Sequence, residues 1–96
     1  MQMKSFPTIN MEATGRRIAS LRAQRGLSVK DLQEFFGFEA PQAIYKWQKG
    51  LSVPSVDNLL ALSELLEVPM DQILVKNEIH QLRIPGEESS VPFWAA

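Results

Sequence analysis

The sequence predicts an all-α domain built from five short helices. Apolar residues recur three and four positions apart in successive segments, which is the spacing of one face of an α-helix. Asn, Ser or Pro residues stand where these segments begin, and Gly residues stand where several of them end. No stretch shows a convincing alternation of apolar and polar residues, the pattern typical of a strand.

Length and composition limit the chain to one small domain without catalytic or metal-binding residues. It has 96 residues, of which 45% are hydrophobic, enough for a single core. No apolar run approaches the roughly 18 residues of a membrane span, and the N-terminus lacks the apolar segment of a signal peptide, so we expect a cytoplasmic protein. With no Cys and one His, His80, the sequence predicts no disulfide, no metal site, no cofactor and no enzymatic activity.

The first helix is predicted over residues 10–25, after a flexible N-terminal arm of residues 1–9. Asn10 is a suitable N-cap, and Gly26 can end the helix. Gly15 lies in the interior, where glycine costs about 1 kcal/mol relative to alanine, so we expect a close helix contact there. The apolar face is Met11, Ile18 and Leu21.

The second helix is predicted to start at Ser28 and to run to about Phe36. Ser28 and Asp31 have the spacing of a capping box, and Gly37 can adopt the left-handed conformation that ends a helix. Three phenylalanines, Phe35, Phe36 and Phe38, are too many for one core face, so we expect one of them to be partly exposed.

The third helix is predicted from about Pro41 to Gln48, closed by Gly50. Ile44 and Trp47, three residues apart, are its predicted core residues. Two short helices joined by a turn that contains Gly form a helix-turn-helix, the unit that places its second helix in the major groove of DNA.

Two further helices and a C-terminal extension follow. The fourth helix, over residues 55–67 and capped by Ser55, and the fifth, over residues 69–76 and opened by Pro69, complete a domain of residues 10–76. The fourth helix has a predicted buried stripe of Val56, Leu59, Leu62, Ser63 and Leu66, widened by Leu60 and Leu65, and the fifth has Met70, Ile73 and Leu74 inward. Residues 77–96 form a tail in which Phe93 and Trp94 could fold back on the domain, pair with a second copy, bind another protein or remain disordered.

Charge is distributed unevenly along the chain, although the net charge is only −1. Residues 1–50 carry eight Lys or Arg against four acidic residues, whereas residues 51–96 carry two against seven. The basic half therefore contains the helix-turn-helix, as a nucleic-acid-binding surface requires.

The order of these motifs resembles the phage-repressor-like helix-turn-helix family of the Cro/XRE type over about residues 10–75. The resemblance implies a compact five-helix, lambda-repressor-like domain of a transcriptional regulator that binds operator DNA as a homodimer, in a bacterial or phage context. The matching residues are Arg22, Gly26-Leu27-Ser28, Leu32, Gly37, Ile44, Trp47, Gly50, Pro54, Val56-Asp57-Asn58-Leu59, Leu62-Ser63, Leu66 and Val68 to Leu74.

The resemblance also implies which residues contact DNA. The base-contacting positions fall at Pro41, Gln42 and Lys46, beside Ala43 and Tyr45. Gln42 can pair with adenine, Lys46 with guanine, and Ala43 can touch a thymine methyl group. Contacts to phosphate are expected from Tyr45 and Lys49 and from the start of the second helix, at Ser28 and Lys30.

The sequence departs from the family pattern at four places. The turn before the third helix is one residue longer than usual, and Pro41 removes one base contact. Val29 replaces a common phosphate-binding Gln. Gln48 replaces a Glu that pairs with the arginine of the first helix, so we expect an Arg22–Gln48 hydrogen bond instead.

Two functions are compatible with these features. The first is a sequence-specific DNA-binding transcriptional regulator. The alternative is a protein-interaction module of the same fold, either antitoxin-like or an adaptor, that uses the apolar tail. Salt dependence distinguishes them, because a protein that neutralises several phosphates loses affinity steeply as salt rises.

Overall fold

The computed structural model describes residues 7–77, and the all-α fold is confirmed there. None of the helices in this part of the chain is long and apolar enough to span a bilayer. Four α-helices are followed by a single 3₁₀ turn: α1 (Met11–Gln24), α2 (Val29–Phe36), α3 (Gln42–Lys49), α4 (Val56–Leu66) and the turn Met70–Gln72.

The predicted N-caps are present and explain where three of the helices begin. The side chains of Asn10, Ser28 and Ser55 each accept a hydrogen bond from the amide three residues on, at 3.0, 3.0 and 3.2 Å. Asp31 returns a bond to the Ser28 amide at 2.8 Å, which completes the predicted capping box. Each such cap stabilises a helix by about 1 kcal/mol, so these starts are determined locally.

The core lies between the four helices and includes Ile73, the residue that follows the 3₁₀ turn. Trp47 is 4% exposed, as predicted, and the rings of Phe36 and Phe38 pack edge-on against it. Phe35 is 49% exposed, which confirms that one of the three phenylalanines lies outside the core. The buried apolar residues are Ile18, Leu32, Ile44, Trp47, Leu59, Leu62, Leu66 and Ile73.

Helices α1 and α3 approach each other closely at Gly15. A Cβ atom at this position would lie 2.6 Å from the carbonyl oxygen of Gln48, and closer still to that of Trp47. Gly15 itself is buried. The close contact expected from an interior glycine is therefore confirmed, and it fixes α3 against α1.

The predicted buried stripe of α4 was too wide. Leu59, Leu62 and Leu66 are buried, but Val56 is 76% and Leu60 is 52% exposed. Successive helical residues are about 100° apart around the axis, so Leu60 points away from the core that Leu59 enters. Val56 lies in the first turn, beyond the edge of that core. Met70, also predicted inward, is 36% exposed.

The predicted fifth helix, residues 69–76, is only the turn Met70–Gln72. The backbone after this turn forms hydrogen bonds with the start of the domain instead of continuing as a helix. The Val75 amide donates to Thr14 Oγ1 at 2.9 Å, and the Val75 carbonyl accepts from the Asn10 amide at 2.8 Å. Ile9 and Lys76 form an antiparallel bridge. The end of the predicted N-terminal arm is therefore paired with the domain. The tail residues Phe93 and Trp94 lie outside the described residues.

One helix end is strained, and relieving it is expected to stabilise the protein. Glu67, which follows α4, has a φ of 58°, the left-handed conformation that favours Gly. We expect Glu67→Gly to raise the free energy of unfolding by about 1 kcal/mol, measured by urea denaturation.

Glu67→Ala is the matched control, because it removes the exposed ion pair with Arg25, 3.5 Å away, but keeps the strained φ. It should leave stability within about 0.5 kcal/mol of the wild type. Equal effects of the two substitutions would show that the side chain, and not the backbone, determines stability at this position.

Candidate nucleic-acid interface

Helix α3 presents one exposed polar and basic stripe. Gln42, Tyr45, Lys46 and Lys49 are all exposed, and their spacing places them on one side of the helix. Ile44 and Trp47 on the other side are buried. Ala43 is partly buried against the core, so it lies at the border of this stripe. We call Gln42, Tyr45, Lys46 and Lys49 the α3 stripe.

The start of α2 is the second part of the predicted interface. The first intrahelical amide donor is that of Leu32, bonded to the Ser28 carbonyl, so the amides of Val29 and Lys30 lie in the free first turn. This end of the helix carries partial positive charge and attracts phosphate. Ser28 and Lys30 are both exposed there, as contact with DNA requires.

Asp31 brings a negative charge to the same helix end. Two interactions with Ser28 hold the pKa of the Asp31 carboxyl below its ordinary value of 3.8. The larger is the hydrogen bond from the Ser28 amide, and the smaller is the hydrogen bond with the Ser28 side chain. Because the folded pKa lies below the unfolded one, this group stabilises the fold above the unfolded pKa, and the contribution is lost as pH falls through the folded pKa.

We therefore expect Asp31→Asn to be less stable than wild type at neutral pH and to show a smaller loss of stability on acidification below pH 3.8. Urea unfolding at pH 7 and at a series of acidic pH values measures both effects. An unchanged acid dependence in Asp31→Asn would mean that the capping carboxylate is not a source of it.

Arg22 connects the start of α2 with the end of α3. Its Nε donates to Gln48 Oε1 at 3.0 Å, and its terminal nitrogen donates to the Leu27 carbonyl at 2.7 Å. One side chain of α1 therefore holds both the residue before the α2 cap and the last turn of α3. The predicted Arg22–Gln48 hydrogen bond is confirmed.

The long turn between α2 and α3 is packed and hydrogen-bonded. Gly37 has a φ of 73°, and Gln33 Nε2 donates to the Phe38 carbonyl at 3.3 Å. The Phe38 ring stacks on Phe36, with centroids 5.1 Å apart. Pro41 is the N-cap of α3 and lies one residue before the helix rather than in its first turn. The turn therefore makes Gln42 the first residue of α3.

The helix-turn-helix family HTH_3 matches residues 18–73, which include all of α2, α3 and α4. The chain belongs to this family. It is thus a sequence-specific DNA-binding transcriptional regulator of the Cro/XRE type. No curated protein sequence matches it significantly.

Solved structures of similar fold agree with this family. The DNA-binding domain of BldD has 23% sequence identity and a TM-score of 0.58, with 68% of this chain and 93% of that one covered. The restriction-modification controller protein C.AhdI from Aeromonas hydrophila has 23% identity and a TM-score of 0.60, with 67% and 96% covered. At this identity the likeness shows a shared fold.

Two arginines of this helix-turn-helix protein have structural partners that sequence reasoning missed. Arg17 donates to the Gln72 carbonyl, and Arg25 Nε donates to the Leu66 carbonyl at 3.0 Å. Leu66 is the last residue of α4, so Arg25 satisfies a free carbonyl at the negative end of that helix. Local sequence carried no signal for these bonds, because the partners are 55 and 41 residues away.

Proposed function

We propose that this protein binds a two-part operator in double-stranded DNA as a homodimer, with α3 of each copy in the major groove. The α3 stripe is the observation that carries the proposal. It places an amide, a phenol and two ammonium groups on the outer face of an eight-residue helix whose inner face is fixed in the core. An α-helix of this kind fits the major groove of B-DNA.

Gln42 and Lys46 are the proposed base-contacting residues. Gln42 is the first residue of α3, at the end of the helix that enters the groove in this motif, and Lys46 lies one turn later on the same face. The Gln42 amide can pair bidentately with adenine N6 and N7, and Lys46 can reach guanine O6 and N7. Ala43, at the border of the stripe, supplies a methyl group for contact with thymine.

Phosphate contacts are assigned to both ends of the motif. Tyr45 and Lys49 flank the proposed base-contacting residues on the α3 stripe. Ser28 and Lys30 lie at the positive end of α2. Because Arg22 joins Leu27 to Gln48, the two groups of phosphate contacts keep a fixed relation, which determines how deeply α3 enters the groove.

Selection of bound duplexes from a random pool, followed by binding measurements at several salt concentrations, tests this function. We expect one enriched motif and an affinity that falls steeply as salt rises. Lys46→Ala should weaken binding and relax preference at one base position, by about 1–3 kcal/mol. Lys76→Ala is the control, since Lys76 is exposed and lies outside the helix-turn-helix.

The absence of an enriched motif and of any salt dependence would contradict the proposal. Equal losses in Lys46→Ala and Lys76→Ala would contradict the assignment of Lys46 while leaving DNA binding itself in place.

A further inference from the structure

The long turn between α2 and α3 carries one acidic residue, Glu39, which has no part in the DNA contacts assigned to those helices. Glu39 is exposed, and it is the only acidic residue in the sequence between Phe35 and Val56. It stands three residues before Gln42, where the α3 stripe begins. None of the hydrogen bonds and ion pairs found within residues 7–77 involves its carboxylate.

The backbone on both sides holds Glu39 in a defined position. On one side, the Phe38 amide donates to the Gln33 carbonyl at 3.0 Å, and the Phe38 carbonyl accepts from Gln33 Nε2 at 3.3 Å. On the other side, the ring of Pro41 restricts the backbone, and the Pro41 carbonyl accepts from the Tyr45 amide at 3.1 Å. The carboxylate therefore extends from a fixed point at the start of α3, so binding it to a partner costs little ordering entropy.

Helix capping does not account for Glu39. An acidic side chain next to a helix start can accept hydrogen bonds from the amides of the first turn. The N-cap of α3, however, is Pro41, and no side chain forms a capping hydrogen bond with this helix. The Glu39 carboxylate is therefore available to a hydrogen-bond donor outside the domain.

In the complex with DNA this negative charge is unfavourable unless it meets a donor. The start of α3 enters the major groove in this motif, so the turn directly before it lies at the edge of the groove, where phosphates repel a carboxylate. The donors in the major groove are the amino groups of cytosine and adenine. Cytosine N4 suits a carboxylate better, because adenine N6 lies beside the acceptor N7, which repels the second carboxylate oxygen.

We propose that Glu39 determines specificity at one base pair of each half-site, by accepting a hydrogen bond from cytosine N4 and by rejecting the bases that leave its charge unpaired. This inference rests on the proposed function and adds a base contact from the turn to those assigned to Gln42 and Lys46. Rejection is the larger part, because a charged group that loses water without gaining a partner costs more free energy than one good hydrogen bond contributes.

The test selects bound duplexes from a random pool with the wild type and with Glu39→Gln, and compares the two motifs. Binding is then measured to four duplexes that differ only at the base pair where the motifs differ. We expect the wild type to prefer cytosine there by about tenfold. Glu39→Gln keeps the length of the side chain but removes its charge. It should reduce the preference to less than about threefold, through tighter binding of the other three duplexes.

Glu64→Gln is the matched control, because Glu64 is exposed on α4, outside the helix-turn-helix, and the substitution makes the same change in net charge. The cytosine preference should survive this change. Identical motifs for the wild type and Glu39→Gln overturn the inference. An equal gain in affinity for all four duplexes also overturns it, since Glu39 would then only repel phosphate. Failure of the wild type to bind any duplex overturns the proposed function as well, whereas the first two outcomes leave DNA binding in place.

Discussion

Replacing Gly15 by alanine is expected to destabilise the protein by about 3 kcal/mol, although the same change in an open helix interior stabilises by about 1 kcal/mol. The added methyl group would overlap the carbonyl oxygens of Trp47 and Gln48. Both are backbone atoms of α3, so no side-chain rotation can relieve the overlap. Helix α3 must move away from α1, and the core around Trp47 must open with it.

Urea denaturation of the Gly15→Ala variant measures this effect. Gly26→Ala is the control for backbone conformation, because Gly26 has a φ of 70° but its Cβ would meet nothing within 4 Å. That variant should lose only about 1 kcal/mol, from the strained left-handed conformation. A Gly15→Ala protein as stable as wild type would show that α1 and α3 lie further apart than described.

Helix starts and ends were predictable because their signals are local. Asn10, Ser28 and Ser55 each satisfy an amide only three residues away. Gly37 and Gly50 each end a helix in the left-handed conformation. The α1–α3 contact was also indicated by a single residue, Gly15. A glycine inside a helix lowers its stability, so its presence there indicates that another element packs too closely to admit a side chain.

The errors arose where non-local contacts decide the structure. Helical periodicity gives the direction of a buried face but not its width, so Val56 and Leu60 were assigned to a core that α4 enters through Leu59, Leu62 and Leu66. The predicted fifth helix is interrupted because Val75 bonds to Thr14 and Asn10, more than 60 residues earlier in the chain. No local pattern specifies that pairing.

The candidate site was predictable to the extent that it follows from the same local rules. The face of α3 that carries Gln42, Tyr45, Lys46 and Lys49 follows from the burial of Ile44 and Trp47. Ala43 was expected among the contacts but lies at the border, because the core reaches further around α3 than two buried residues indicate. Which of these side chains contacts bases remains a prediction.

Arg22→Ala is expected to cost about 3 kcal/mol of stability and to weaken DNA binding beyond the effect of unfolding. The substitution leaves Gln48 Oε1 and the Leu27 carbonyl without the donors they have in the structure, and both bonds are partly buried. Arg16→Ala is the control, because Arg16 is an exposed arginine of the same helix. It should change stability by less than about 0.5 kcal/mol.

The loss of DNA affinity follows from what Arg22 holds together. Without it, the start of α2, to which we assign phosphate contacts, and the α3 stripe no longer keep a fixed relation. We therefore expect their proposed contacts with DNA to form only at an additional cost in entropy. Binding is therefore compared at a temperature where circular dichroism shows Arg22→Ala to be folded. If the variant is less stable but binds the operator with unchanged affinity, Arg22 contributes to folding stability and not to DNA binding.

A double-mutant cycle with Gln48→Ala separates the two bonds of Arg22. Because the Arg22–Gln48 bond has one charged partner, we expect a coupling energy of about 1–2 kcal/mol between the two positions. The part of the Arg22→Ala effect that remains in the Gln48→Ala background then belongs to the Leu27 carbonyl. Gln48→Glu should strengthen the pair, since a carboxylate accepts a charge-assisted bond from the same guanidinium. If Gln48→Glu instead destabilises the protein, desolvation of two charges at this position exceeds their attraction.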